Sequence, residues 1–295
     1  MTSTGTLNVA YDPLNNRIRG WVHNGELCLG DERGDLLVDA EQQATRLQEE
    51  TGATRISLRT LARDPQNIET SLDVEGVLPF SGIHMVYLGN TSSERESHYR
   101  EAQVERISSM SRHPVRLVDG IYTVAPLINP TQEDLLEMGN LMESAYSRNG
   151  EMIMWYNPTP ELLSEMVSSS AVSVARHDGR IVSMCIAESA DGLVYQGRPL
   201  SVFEVSDCAT LPEHRRQGLM QGCIDGVMAH PRIRRADLVF SEARAPHIGI
   251  NQALHNCGFV PRGFLPHHVR IGGERELTET SDMETLVLYG TRDES

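Results

Sequence analysis

Apolar positions along the chain change period several times, and each change marks an element. Residues 7–11 and 17–22 alternate like strands, a turn is signalled at His23-Asn24-Gly25, and residues 26–30 form another short β-like run. Leu37, Ala40, Ala44 and Leu47 then recur at helical spacing, which predicts a helix over 37–50 that Thr51-Gly52 closes. Strand-like runs follow at 55–58 and 84–88, and the polar stretch 93–110 reads as helical. Residues 111–120, with Ser111, Pro114 and Asp119-Gly120, read as a linker.

Beyond it the pattern is denser. A short strand at 122–126 precedes a helix start at Asn129-Pro130-Thr131, where Thr131 suits a cap and Glu133 and Asp134 suit the helix dipole. Leu135, Met138, Leu141, Met142 and Ala145 share one side of that helix, and Thr159-Pro160-Glu161 opens a second. Residues 172–176 and 180–187 flank His177-Asp178-Gly179 as a hairpin, and runs at 193–195 and 202–210 continue the sheet. A helix over 217–229, a strand over 237–241, a helix over 249–256 and a strand over 284–289 complete the chain. The second half therefore reads as a mixed α/β sheet domain, expected at 120–295, behind a smaller α/β domain at 1–112. No motif of catalysis marks that first domain, so packing, dimerisation or cover for a site in the second domain is its expected role.

Composition removes several function classes. The 295 residues carry 41 Asp+Glu against 26 Lys+Arg, a formal charge of -15, which argues against sequence-independent nucleic-acid binding. All the basic residues are arginine, because the sequence contains no lysine. A genome that favours arginine codons accounts for this, and a functional reason is the alternative. No apolar run approaches the roughly 18–20 residues of a membrane span, and the first 14 residues lack the basic start and apolar core of a secretory leader. Cys28, Cys185, Cys208, Cys223 and Cys257 are odd in number and form no C-x-x-C pair. Neither a disulfide framework nor a metal site is expected, and a cytoplasmic location fits.

The chemistry concentrates in residues 204–220, Glu-Val-Ser-Asp-Cys-Ala-Thr-Leu-Pro-Glu-His-Arg-Arg-Gln-Gly-Leu-Met. A strand turns sharply into a helix, so the backbone N–H groups of 216–221 lack intrahelical partners and meet the positive end of the helix dipole. With Gly218 admitting close approach and Arg215 and Arg216 adding charge, this is a seat for phosphate; a surface turn with two solvated arginines is the plainer reading.

Arg215-x-x-Gly218-x-Met220 resembles the acetyl-CoA signature of the GCN5-related N-acetyltransferase (GNAT) superfamily, with Met220 where the family has Gly or Ala, and Asn251 to Gly258-Phe259 resembles the helix that follows. The blocks Ala187-Glu188, Glu204-x-x-Asp-Cys-Ala-Thr-Leu-Pro-Glu-x-Arg215, Ala243-Arg-Ala245, Gly249-Ile-Asn251 and, more weakly, Asn15–Ile18 and Glu75–Pro79 are similar to the β-lysine N6-acetyltransferases. Two regions depart from that subfamily, Tyr146–Trp155 and Pro266-His267-His268, and the His pair reads as a turn.

The resemblance implies a GNAT fold and direct acetyl transfer from acetyl-CoA, with no metal, to a primary amine of a small amino acid or diamine, β-lysine N6 first. It implies Glu204 as base, and Cys208, Ala209, Thr210, Arg215, Arg216, Gln217, Gly218, Leu219, Met220 and Asn251 along the cofactor. Glu188 and Asp207 would hold an acceptor ammonium and Arg244 its carboxylate. Each has a structural alternative: a surface carboxylate for Glu204, a bend cap for Asp207, an internal ion pair for Arg244, a helix cap for Asn251. The family's acid, a tyrosine, falls on Leu254, which cannot donate a proton; His255 would point elsewhere around the helix, Tyr289 and water are conceivable donors, and the acid is left unassigned. Another free amine as acceptor, or an acyl-CoA-binding regulator without turnover, are the rival functions. A homodimer is compatible with either.

Overall fold

The structure, a computed structural model, describes residues 6–12, 17–23, 34–90, 103–115, 117, 120–148, 151–152, 157–190, 193–195, 197–270 and 283–291. The N-terminal part holds β1 (Thr6–Asp12), β2 (Arg17–His23), α1 (Gly34–Thr51), β3 (Arg55–Ala62), β4 (Asp73–Phe80) and β5 (Ile83–Gly89). Helix α1 follows the apolar spacing: Leu37, Ala40 and Ala44 are buried against Ile18, Ile56, Leu58, Val86 and Leu88. It stops where Gly52 turns left-handed at φ 68°. Ser81 and Gly82, both at positive φ, make the tight β4–β5 turn. Strand β4 escaped the sequence reading because Gly76 and Pro79 interrupt it and its polar start, Asp73 and Glu75, hides the alternation. The expected run at 26–30 lies outside the described residues. Of the expected helix at 93–110, residues 103–108 are described and helical (α2).

The remainder runs β6 (Thr123–Pro126), α3 (Gln132–Tyr146), β7 (Ser147–Arg148), β8 (Glu151–Met152), α4 (Pro160–Ser169), β9 (Ala171–His177), β10 (Arg180–Ser189), β11 (Val194–Tyr195), β12 (Arg198–Pro199), β13 (Val202–Thr210), α5 (Leu219–Met228), β14 (Leu238–Arg244), α6 (Ile248–Asn256), β15 (Val260–Arg270) and β16 (Met283–Gly290). The caps work as their residue types dictate. The Asp134 amide donates to Thr131 Oγ1 at 3.1 Å while Thr131 N donates back to Asp134 Oδ2 at 2.8 Å, and Leu162 N donates to Thr159 Oγ1. Two expectations are corrected. The run at 193–195 pairs with Arg198–Pro199 as a separate small ribbon and does not continue the main sheet. His268 lies in strand β15, not a turn; Pro261, Gly263 and Pro266 mask the strand, and they coincide with its two register shifts.

All the long strands join one twelve-stranded sheet in the order β1-β2-β3-β5-β4-β15-β16-β14-β13-β10-β9-β6. The two halves of the chain meet where Gly76 of β4 pairs with Gly263 of β15. Leu61, Leu78, Phe80, Met85 and Tyr87 from the first half pack with Val202, Phe240, Leu265, Leu286 and Leu288 from the second, so one core crosses that seam. Helices α3 and α4 bury Leu135, Met138, Leu141 and Leu163 on one face of the second half. Leu219, Cys223, Ile224 and Val227 of α5 and Leu254 of α6 belong to the core cluster that includes Phe203, Val205 and Val239.

Candidate active site

Strands β13 and β14 run parallel but pair only where Val202–Glu204 meets Leu238–Phe240. Beyond that point β13 stays with β10 as far as Thr210 and β14 stays with β16 as far as Arg244, so the two part. Within the widening gap, Ser241 Oγ donates to Val205 O at 2.7 Å. Asp207 sits at φ 43° where the β10–β13 register slips between Met184 and Ile186. A bulge of this kind bends the strand and re-aims its side chains. Tyr146, at the end of α3, donates its hydroxyl to Cys208 O at 2.7 Å, and the Cys208 and Cys185 thiols stand 3.6 Å apart.

The strand ends in a left-handed turn that opens a helix. Arg215 Nε donates to Thr210 O, which ties the turn to the strand end. Arg216 and Gly218 both take left-handed backbone, at φ 63° and 78°, and α5 starts at Leu219 with no acid in its first turn. A Cβ on Gly218 would lie 2.9 Å from Val115 Cγ1, so both backbone and space require glycine. Arg215, Arg216 and Gln217 are exposed, whereas the Leu219 side chain is core and brings only its backbone to the turn. Met220 packs partly against that core.

Carboxylates gather where the two strands part. Glu188 of β10 is the register partner of Glu204 on β13, and Glu242 lies two residues beyond Phe240, the register partner of Glu204 on β14. Strand alternation puts all three on one face. Ser206 Oγ donates to Glu188 Oε1 at 2.9 Å. Burial, and then the neighbouring Glu242 charge, push the Glu204 carboxyl up to about 8; Arg59 acts against this, while Glu188 and Asp207 add to it. A carboxylate that basic accepts a proton near neutral pH.

Other expected residues are committed elsewhere. Arg244 forms a two-pronged pair with Glu284 at 2.7 Å through Nε and Nη2, so it reaches an acceptor carboxylate only by giving up that pair. Asn251 is fully buried: Nδ2 donates to Arg244 O and His247 O, and Oδ1 accepts from Tyr289. Leu254 sits in the core. Tyr289 is held as a neutral phenol by burial and faces Asn251. Tyr289→Phe is therefore expected to keep turnover within about threefold while losing roughly 1–2 kcal/mol of stability, read as a lower Tm, because a buried acceptor loses its donor. A hundredfold drop in kcat at unchanged Tm would instead make Tyr289 the acid.

Four residues next to this site were not read from the sequence. Arg59 of β3 donates to Glu242 Oε1 at 2.5 Å across 183 positions, and Tyr87 of β5 and His268 of β15 border the same carboxylate. The sequence signal for Glu242 was faint: a lone acid two residues past Phe240, with the same strand parity as Glu204. Among the described residues no group of His, Cys, Asp and Glu is arranged to hold a metal, and no helix is long and apolar enough to cross a membrane.

Residues 127–249 match the family described as acetyltransferase (GNAT) domain. The chain is similar to the β-lysine N(6)-acetyltransferase of Methanosarcina mazei, 30% identical over 162 residues, which cover 53% of each protein. The match thus spans about half the length of that relative. Solved structures with low likeness include the ribosomal-protein-S18-alanine N-acetyltransferase of Escherichia coli (14% identity, 58% of this chain and 93% of that one, TM-score 0.43). Another is a GNAT family acetyltransferase of Elizabethkingia anophelis with acetyl-CoA bound (11%, 59% and 99%, TM-score 0.39). The match over 127–249 takes in the parted strands and the Gly218 turn, so it is this segment of the chain that is similar to the GNAT acetyltransferases.

Proposed function

We propose that the protein transfers an acetyl group from acetyl-CoA to a primary amine of a small amino acid or diamine, with N6 of β-lysine as first choice. The observation that carries this reading is Glu204: a proton-hungry carboxylate at the fork of β13 and β14, with the phosphate-type turn at the far end of the same strand. The residues fit acetyl-CoA. The left-handed Gly218 turn and acid-free start of α5 suit a pyrophosphate, and the edge of β13 from Cys208 to Thr210 suits an extended arm. Arg215 and Arg216, both exposed beside the turn, add positive charge.

Acetyl-CoA supplies an activated acyl carbon. The rest falls to the chain. Glu188 and Asp207 hold the incoming ammonium beside Glu204, which removes its proton directly or through water. At pH 7 an amine of pKa about 10.4 needs roughly 4–5 kcal/mol to lose that proton, so a base near 8 narrows the gap. Backbone N–H groups on the open edge of β13 face the carbonyl oxygen as charge develops there. The N–C bond forms as the C–S bond breaks, and water protonates the departing thiolate, since Leu254 offers no proton and Tyr289 is turned to Asn251. Cys185, Cys208, Cys223 and Cys257 are free thiols, which supports a reducing, cytoplasmic setting.

Release of CoA thiol across a panel of β-lysine, lysine, ornithine and simple diamines tests the function. β-Lysine is expected to give the highest kcat/KM, by at least tenfold over α-lysine. Turnover of a different amine would move the acceptor and keep the enzyme. Micromolar acetyl-CoA binding with no amine turned over would instead favour the acyl-CoA-binding regulator, a reading that the buried Leu254 supports.

A further inference from the structure

Resting on the reading of Glu204 as base, we propose that the N-terminal strands complete the acceptor side of the site and that Arg59 is a positioning residue, holding Glu242 against Glu204. The acetyltransferase segment at 127–249 contains both carboxylates but not the cation that orders them. Arg59 comes from β3. Its guanidinium carbon lies 4.7 Å from the Tyr87 ring centre and 5.4 Å from that of Trp21, and its Nη2 donates to Glu242 Oε1. Contact with two aromatic rings fixes the plane of a guanidinium far better than solvent does.

The far side of Glu242 is closed by β15. His268 is 1% exposed, neither ring nitrogen has a hydrogen-bond partner, and Nε2 stands 3.7 Å from Glu242 Oε2. Burial and the nearby Arg17, Arg55 and Arg59 hold that imidazole neutral. It is thus a polar side chain turned to the carboxylate without pairing with it. Arg17 of β2 donates to His268 O at 2.8 Å and binds Asp12, which anchors this corner to the N-terminal strands. The charged and titratable groups around Glu204 are therefore Glu242 from β14, Arg59 from β3, Tyr87 from β5, Glu188 from β10 and Asp207 from its own strand. Those around Glu242 are Arg59, Tyr87, Glu204, His268 and Arg17.

The consequence is chemical. A second carboxylate beside the base raises its proton affinity, and a cation on that carboxylate limits the rise. Glu242 and Arg59 together set how basic Glu204 is, so the two removals act in opposite directions. Arg59→Met leaves two buried carboxylates without their cation, and Glu242→Gln leaves the cation to Glu204 alone.

The test follows the Glu204 carboxyl by 13C NMR in glutamate-labelled protein, assigned by its loss in Glu204→Gln, alongside the pH profile of kcat/KM. In Arg59→Met the titration is expected to move up by at least one pH unit. kcat/KM should fall about tenfold at pH 7 and recover to within threefold at pH 10, with KM for acetyl-CoA within twofold of wild type. Glu242→Gln should move the titration down. Titrations that coincide in all the variants, or that shift the same way in Arg59→Met and Glu242→Gln, overturn the proposal. The NMR readout does not need turnover: a silent wild type would defeat the base reading of Glu204 while leaving the placement of Arg59 measurable.

Discussion

Glu204→Gln is expected to lower kcat by roughly 10²–10⁴-fold at pH 8, the usual contribution of a positioned general base, while acetyl-CoA binds within twofold of wild type. The substitution keeps size and hydrogen-bonding atoms but removes the proton acceptor at the fork of β13 and β14. The same change should affect stability in a direction that a simple loss of contacts would not give. Folding raises the Glu204 carboxyl from near 4.5 to about 8, because burial and the Glu242 charge disfavour its ionised form. Below pH 4.5 both folded and unfolded chains keep the proton. Between 4.5 and 8 only the unfolded chain gives it up, so the stability of the folded protein declines across that window and levels off above it. Glutamine has no proton to lose. The variant should therefore melt higher than wild type at pH 8–9, by an amount on the order of a few kcal/mol, and match it near pH 4.5. Calorimetric melts at the two pH values, with stopped-time CoA release from pH 6 to 9, check both halves. Near-wild-type rates over that range would remove Glu204 as the base, and a lower Tm at pH 9 would show that folding does not disfavour its ionised form.

How the chain could be read from sequence depended on how local each cause was. The turn at Arg215–Met220 was legible because its chemistry is contiguous: a strand, a glycine that must turn left-handed, and a helix start without acids all lie within a few residues. Helix α1 and the hairpin at Asp178-Gly179 were legible for the same reason. Strands β4 and β15 were not. They meet at Gly76 and Gly263, and the glycines and prolines that shape this join are the residues that erase a strand pattern. The site residues Arg59, Tyr87 and His268 were hidden by distance. Arg59, one of two arginines in Arg55–Ala62, looks like any surface charge until the fold carries it 183 positions to Glu242. Resemblance helped only where its blocks lay. It marked Glu75–Pro79, and the structure gives the cause: Glu75 pairs with buried Arg55, its carboxyl fills the space a Cβ on Gly89 would take, and the next residue makes the seam. The absence of lysine gains physical content here too. The cations at the phosphate-type turn and beside Glu242 are arginines, which hold their charge where a buried amine would be free to lose its proton.

The seam itself should be the most fragile point in the molecule. A Cβ added to Gly263 would lie 2.2 Å from Glu75 O and 2.4 Å from Gly76 Cα. These are backbone atoms, so no rotamer change relieves the clash; β4 and β15 must move apart. Gly76 is itself short of room for a side chain, because a Cβ there would meet Leu288 Cδ2 at 2.6 Å. Gly263→Ala is expected to cost about 3 kcal/mol or more, which for a chain of this size is a fall in Tm of roughly 6 °C or more. The matched control is Gly249→Ala in α6, where nothing lies within 4 Å of the added carbon and alanine favours the helix. That variant should melt within about 2 °C of wild type. A local defect elsewhere would stop at stability, but this one should reach the chemistry. Parting β4 from β15 loosens the strands that present Arg59 to Glu242, so the Gly263→Ala protein, assayed below its Tm, should show the same upward movement of the Glu204 titration as Arg59→Met. Equal Tm values for the two glycine variants would mean that the strands separate without strain. An unshifted Glu204 titration in a clearly destabilised Gly263→Ala would mean that Arg59 keeps its place by the core around Tyr87 and Phe240 alone.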